Sequence, residues 1–378
     1  MTSFFGGGMT NDIMTIGNMV YLATLTDRVP IIPPWMPNRL LDANVQKPLP
    51  FGEVFDVPRL ARKLRRPVLE WHQVKDYSAG DSVLETIGCY TVWGSVKPGE
   101  SRDPSPSSLI PLLNLDISWN NMPSSISLGY DTASIWRLAS LLYPSARQRA
   151  IDAGEIKPSP SGFKGELVLP DDQFTCYDLL YYAATVEPFE YFQDYSPAWR
   201  FVVSNFHWTQ QVERIGHSYV RRILGVEDGG PNYIAIHARR GDFQGWCDSE
   251  SQSRDDCLVN IGALQIRVKE IQDELLVTRG INLRDTDVIL LSDEKDPQWW
   301  LEVRDLGWKT VDHVALETVD IHGPWYPLIV DVYIMSSGIG FVGTARSTMS
   351  LLAKRRTEEW RNGITRTVEW GWPGADNH

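Results

Sequence analysis

The stretch Tyr233-Ile-Ala-Ile-His-Ala-Arg-Arg-Gly-Asp-Phe243 decides the fold. Ile234, Ala235 and Ile236 suit a strand covered on both faces, and Gly241 with Asp242 suits a tight turn directly after it. The charges of His237, Arg239, Arg240 and Asp242 therefore collect at the carboxyl end of a strand, where open α/β sheets bind ligands. A guanidinium presents a planar fork that fits two phosphate oxygens at once and never loses its charge, so this turn is a candidate phosphate site. The simpler reading makes Arg239 and Arg240 surface residues paired with Asp242 and other carboxylates. Adjacent arginines behind a buried strand are an unusual structural ion pair, which favours the anion site.

Working outward, a helix is predicted over 207–224, with Val212, Ile215, Tyr219 and Ile223 on one stripe and Gly225 at its end. After the arginine turn come a helix over 258–278, a strand over 288–292, and a helix opened by Asp296 and Pro297 and closed by Gly307. A strand over 309–312, a helix over 327–337, a strand over 339–342 and a helix from Ser347 complete the second half. Four strands alternating with helices predict a doubly wound parallel sheet. The domain boundary is placed within the first of these helices, giving domains 1–215 and 216–378.

The first half opens as strand, glycine turn, helix, strand. Ser3 to Phe5 is the first strand, and Gly6, Gly7 and Gly8 permit close backbone approach to a ligand, although three glycines alone also make a flexible turn. Asn11 is a candidate helix cap ahead of Ile13, Ile16, Val20 and Leu25, and Val29 to Ile32 is a strand stopped by Pro33 and Pro34. A short helix through Phe55, Val57, Leu60 and Leu64 and a strand over 68–70 follow. Residues 97–127 are rich in proline and serine without sustained period, so a long surface excursion is expected, part of an insertion near 95–170. Within it, Asp131 starts a helix carrying Ile135, Leu138 and Leu142.

The 378 residues carry a net charge of −12, which argues against nonspecific binding to nucleic acid or an anionic membrane and makes Arg239 and Arg240 a local exception. A small anion is the expected partner. No apolar run approaches the roughly 18 residues that cross a bilayer, and no signal peptide opens the chain. Met1 lies only a few residues before the first expected strand, so an amino-terminal stalk or anchor is expected to precede this sequence. The four cysteines are too few for a disulfide scaffold and are not spaced like a zinc site. Cys247 and Cys257 close a short polar loop after the arginine turn, and either a disulfide or two free thiols fits them; the disulfide is favoured. The pairing of Cys89 and Cys176 is left open. There is no Asn-x-Ser/Thr sequon, and the seven histidines do not cluster.

His237-Ala-Arg-Arg-Gly-Asp242 resembles the His-x-Arg-(Arg)-x-Asp motif of the GDP-fucose fucosyltransferases, particularly the protein O-fucosyltransferases. Two further stretches are similar to that family: Gly7-Gly-Met-Thr-Asn-Asp12 followed by a helix and Pro33-Pro-Trp35, and Phe341-Val-Gly-Thr-Ala-Arg-Ser-Thr-Met-Ser350. Residues of about 60–200 match no motif. The resemblance implies an α/β protein of the GT-B class, two Rossmann-like doubly wound domains facing a cleft. The amino-terminal domain would lie on the acceptor side and the carboxyl-terminal one would bind the GDP-sugar.

It also implies an inverting transfer of fucose from GDP-fucose to a hydroxyl, most readily Ser or Thr of a protein. A glycan acceptor and a non-catalytic GDP-sugar-binding role are the alternatives. Arg239 matches the family's essential arginine, and preorganised cations at the β-phosphate oxygen stabilise the charge that develops as the glycosidic bond breaks. Ser347 and Thr348, at a helix amino terminus, match residues that hold the β-phosphate; an ordinary capping pair is the plainer reading. Asp331 lies in the apolar run Leu328 to Ile334 and needs a donor partner, which the resemblance supplies as guanine. His237 orients the diphosphate or ribose, or is simply structural, and Asp242 orients an arginine. Gly7 and Gly8 are candidate substrate-binding residues, and Asn11 is a candidate catalytic residue in the position used by one branch of the family. The general base stays unassigned: Gly8 stands where another branch carries Glu, and Asp12 is a possible base or a helix-terminus charge. No cofactor beyond the donor sugar nucleotide and no metal is expected, since Asp285-Thr-Asp287 precedes its strand and falls at the wrong end of the sheet. The expected compartment is the lumen of the endoplasmic reticulum or Golgi, reached through a targeting segment ahead of this sequence.

Overall fold

A computed structural model describes residues 1–36, 47–77, 83–96, 103–227, 229–247 and 254–376. The interior of the loop closed by Cys247 and Cys257, and the first residues of the expected excursion at 97–102, lie outside them. The chain divides into two units, Met1–Thr209 and Gln210–His378, so the boundary falls just ahead of the helix in which it was expected.

In the first unit the elements that build and flank the main sheet are β1 (Thr2–Ser3), α1 (Met9–Leu25), β2 (Ile31–Ile32), α2 (Val57–Leu64), β3 (Leu69–Glu70), β4 (Glu85–Tyr90), β5 (Leu115–Asn121), β6 (Lys157–Pro158) and β7 (Cys176–Tyr177). Strand order is β1-β7-β4-β5-β6, parallel throughout except for β6, while β2 and β3 pair separately. A disulfide between Cys89 and Cys176 ties β4 to β7. α1 is capped by Gly8, not by Asn11, which lies inside the first turn. The reason is visible in the turn: the Asp12 carboxylate accepts the N–H of Gly7 at 3.0 Å, a contact that fixes the glycine stretch from within the helix.

β5 corrects the expectation of a surface excursion over 97–127. It lies between β4 and β6, with Leu115, Asp116, Ile117, Ser118 and Asn120 buried. Its polar residues hid it, because each finds a hydrogen-bond partner inside the fold. Asp116 accepts from the N–H of Phe163 and Lys164 and from the Ser161 hydroxyl, Ser118 donates to the Ser159 carbonyl, and Asn120 donates to the Val168 carbonyl. Buried polar groups cost little once paired, so a strand of this kind carries no apolar run to announce it.

The second unit contains α3 (Gln210–Leu224), β8 (Ile234–Ala238), α4 (Ile261–Arg279), β9 (Val288–Ser292), α5 (Pro297–Asp305), β10 (Lys309–Thr310), α6 (Tyr326–Ser337), β11 (Gly340–Thr344), α7 (Thr348–Arg361) and β12 (Ile364–Val368). All five strands are parallel, in the order β10-β9-β8-β11-β12. β8 is central and wholly buried, which is why it reads as an unbroken apolar run. Ile234 and Ile236 pack with Leu264, Val268, Val288 and Val342, each such side chain contributing about 1.5–3 kcal/mol by leaving water. Helix ends follow local chemistry: Asn260 caps α4 through the Ala263 N–H, Gly280 ends it with φ 67°, and Asp296 caps α5 ahead of Pro297. β12 was not expected. It is an edge strand whose Arg366 side chain pairs with Glu270 and Glu274, so its half-polar sequence resembles a helix tail.

Candidate active site

Strand order reverses between β8 and β11, so the crevice outside their carboxyl ends is the binding position of this sheet type. The arginine turn leaves β8 there. Arg239 Nε and Nη2 each lie 2.8 Å from the two Asp242 carboxylate oxygens, and Nη1 lies 3.0 Å from Asp293. Three of its five N–H donors are thereby engaged and two remain for a ligand. Its backbone N–H donates to the Thr344 hydroxyl at 2.9 Å, which joins the ends of β8 and β11. Asp293 also accepts the N–H groups of Arg240 and Gly241 at 2.8 and 2.9 Å. A β-carbon on Gly241 would stand 2.7 Å from that carboxylate, so only glycine fits beneath it.

Arg240 differs from the expectation that it faces a diphosphate. Its side chain is 2% exposed, its Nε is 2.6 Å from Glu294, it donates to the Val259 carbonyl, and its guanidinium lies over the Trp299 ring. Burial pushes the Glu294 carboxyl up, but Arg240 and the N–H groups of Asp296 and Lys295 override it and hold it at about 2. Arg240 is thus the internal member of the pair and anchors the turn that carries Arg239. Ser292, Asp293 and Glu294 were missed from the sequence. Their signal was the same one that found Arg239, polar residues directly after a buried strand.

The second turn leaves β11. Ser347 caps α7, its hydroxyl accepting the N–H of Ser350, and Thr348 is the first helical residue. The Ser350 hydroxyl lies 2.7 Å from His237 Nδ1 and accepts the N–H of Thr344, and the Thr344 hydroxyl donates to the His237 carbonyl. His237 is buried, and burial together with Arg239 lowers its pKa to about 4, so it is a neutral imidazole bracing the two turns. Gly343 is required here, since a β-carbon would lie 2.8 Å from the Phe341 ring and 2.9 Å from Ser350.

Asp331 lies in the first half of α6 and finds a partner within the chain: His313 Nε2 at 2.9 Å, whose Nδ1 is 3.1 Å from the Thr318 hydroxyl. His313 follows β10, so the pair also stands beyond a strand's carboxyl end. In the first unit, Gly7, Gly8 and Asn11 share the turn and first helical residues after β1. Asp12 is buried there, and burial raises its carboxyl to about 7 against the lowering effect of the Gly7 contact. Asp285 and Asp287 stand before β9; Asp287 pairs with Arg284 and Asp285 accepts from Gln272. Cys247 and Cys257 are joined, closing the loop after the arginine turn.

A doubly wound unit with arginine and hydroxyl turns at its switch point has the architecture of an α/β sugar-nucleotide transferase of the GT-B class. The model of the family described as GDP-fucose protein O-fucosyltransferase matches residues 3–359, and the chain belongs to that family. A solved structure of POFUT1 in complex with GDP-fucose is 12% identical, covers 98% of this chain and 97% of its own, and has a TM-score of 0.58. POFUT1 in complex with GDP gives 12% identity, 97% coverage of both chains and a TM-score of 0.60. At this identity the likeness is one of fold. No curated protein matches the sequence.

Proposed function

We propose that the protein transfers fucose from GDP-fucose, with inversion, to a Ser or Thr hydroxyl of a protein acceptor. The observation that carries the reading is the junction of the two turns at the switch point, where the Arg239 backbone is bonded to Thr344 and its guanidinium keeps two free N–H donors. As the bond from fucose to the β-phosphate lengthens, charge grows on the leaving oxygen. A guanidinium already fixed by Asp242 and Asp293 stabilises that charge without reorganising. In this reading Ser347, Thr348 and the amino end of α7 hold the diphosphate, the His237–Ser350 brace fixes their spacing, and Asp331 accepts from the guanine edge while His313 holds it in place. Arg240 acts through the turn it anchors. The N–H donors of Arg239 and the amino end of α7 are proposed to hold the diphosphate in place of a metal, so turnover is proposed to need none. Asn11, Gly7 and Gly8 are assigned to the acceptor side.

Two disulfides support an oxidising compartment, in keeping with the lumen of the endoplasmic reticulum or Golgi. No helix among the described residues is long and apolar enough to cross a membrane. The test is incubation with GDP-fucose and a panel of folded domains and oligosaccharides. Label on a domain is the expected result; label on a sugar makes the acceptor a glycan, and label on neither, with GDP still bound, leaves a GDP-sugar-binding protein.

A further inference from the structure

The charges of the arginine turn do not suit an anion by themselves. Arg239 and Arg240 face three carboxylates, those of Asp242, Asp293 and Glu294, and the next residues, Lys295 and Asp296, cancel. His237 is neutral. The turn therefore carries an excess of one negative charge, although a diphosphate bearing two or more negative charges is to bind beside it. Directional N–H donors alone do not offset that repulsion at contact distance, where two unit charges interact by several times the thermal energy at a protein surface.

One guanidinium at the same edge is differently placed. Arg346 is exposed, leaves the end of β11 immediately before Ser347, and makes no ion pair with a described residue. It is nevertheless held in position. Its guanidinium lies over the rings of Trp370 and Trp372, at 5.5 and 6.0 Å. Trp370 is itself fixed, donating from Nε1 to the Ala345 carbonyl at 2.8 Å and stacking on Phe243, with ring centroids 4.4 Å apart. Phe243 in turn lies beneath Arg239, 5.9 Å from its guanidinium carbon. The aromatic stack thus carries Arg239 at one end and Arg346 at the other. Arg346 also has φ 64°, a region a β-carbon disfavours and glycine adopts freely. A side chain is kept where glycine would be more comfortable, and it is the cation without a carboxylate.

We propose that Arg346 supplies the uncompensated positive charge that binds the diphosphate of the sugar nucleotide, Arg239 supplying fixed donors but no net charge. The proposal rests on the GDP-sugar reading of the site and adds a residue to it. A cation on the flat faces of two indoles keeps its charge while its outward N–H groups remain available to phosphate oxygens.

The test is calorimetric titration of GDP, GMP and guanosine into wild type, Arg346→Gly and Arg346→Lys. Arg346→Gly removes the guanidinium and relieves the backbone, so its melting temperature is expected to equal or exceed that of wild type. Its GDP dissociation constant is expected to rise about 10- to 100-fold, as for loss of a charged hydrogen-bonded contact, and its guanosine affinity to stay within about twofold. Arg346→Lys is expected to recover part of the loss, with a steeper dependence on salt. GDP affinity unchanged in Arg346→Gly overturns the proposal, as does an equal loss for guanosine, which would mark local collapse. A wild-type protein that binds guanosine and GDP equally weakly would instead overturn the GDP-sugar reading of the whole site.

Discussion

Two sheet edges in this chain hold acidic groups by opposite means. At the carboxyl edge of the second unit's sheet, Asp242, Asp293 and Glu294 face guanidiniums, and Glu294 is held at about 2 although burial pushes it upward. At the carboxyl edge of the first unit's sheet, the carboxylates face N–H groups of the backbone. Asp178, just past β7, accepts from Val92, Trp93, Ser105 and Leu179 and from the Thr91 hydroxyl, while Asp12 accepts from Gly7. Burial still wins at both, raising Asp178 from its ordinary value and Asp12 to about 7. At Glu294 the paired guanidinium helps to overcome desolvation, whereas at Asp178 and Asp12 the N–H groups do not. The second edge therefore keeps one ion pair, Arg240 with Glu294, away from water beneath the turn, whereas the first uses carboxyl groups to hold loops in place.

The strongest test of this contrast is Arg240→Ala. It leaves Glu294 buried without its cation and is expected to cost about 3–5 kcal/mol in denaturant unfolding, with part restored by adding Glu294→Gln. The sign with pH follows from the lowered carboxyl: in wild type the pair's contribution is present above about 4.5 and is lost as pH falls toward 2, and the variant should lack that acid-dependent loss. A cost under about 1 kcal/mol would show that the pair is not what holds the turn.

Arg239→Ala is expected to leave the fold intact, because Asp293 keeps the N–H groups of Arg240 and Gly241. Turnover should drop roughly 100- to 1,000-fold, about 2.7–4 kcal/mol of barrier. Steady-state rates equal to wild type would remove Arg239 from the chemistry. Asp331→Asn turns one acceptor into a donor facing guanine's own donors, so GDP affinity should weaken by about 2 kcal/mol while ADP and UDP binding is unaltered. If the carboxylate serves only His313, calorimetry will show unchanged nucleotide preference and a melting temperature lowered with and without GDP.

The smallest effect concerns the first edge. Asp12 has its folded-state value raised from 3.8 to about 7, so folding favours the protonated form. Its stabilising contribution is complete below about 4 and disappears as pH rises through 7. Asp12→Asn keeps an acceptor for Gly7 but cannot ionise, and its stability should decline less than that of wild type between pH 5 and 8, by about 1 kcal/mol or more. Parallel stability profiles for the two proteins would show that Asp12 remains ionised and that backbone N–H groups suffice after all.

From the sequence alone, the parallel sheet of the second unit was legible at β8, β9 and β11, because strands buried on both faces must be apolar, and the helix after β9 carries a local cap in Asp296. The positions of Arg239 and Ser347 at strand ends were legible for the same reason, as was the Cys247–Cys257 bond from its short spacing. What only the tertiary structure decided was which charge meets which. Arg239 and Arg240 are neighbours in sequence, yet one guanidinium is directed to the edge and the other to Glu294, 54 residues away. His313 meets Asp331, Ser350 meets His237, and Arg346 rests on Trp370, pairings that no local pattern encodes. β5 was hidden likewise, since Asp116, Ser118 and Asn120 are polar in sequence and become core only when the chain near 159–168 supplies their partners. Periodicity reports what a residue does to its own element; satisfaction of a buried polar group depends on segments brought together by the fold.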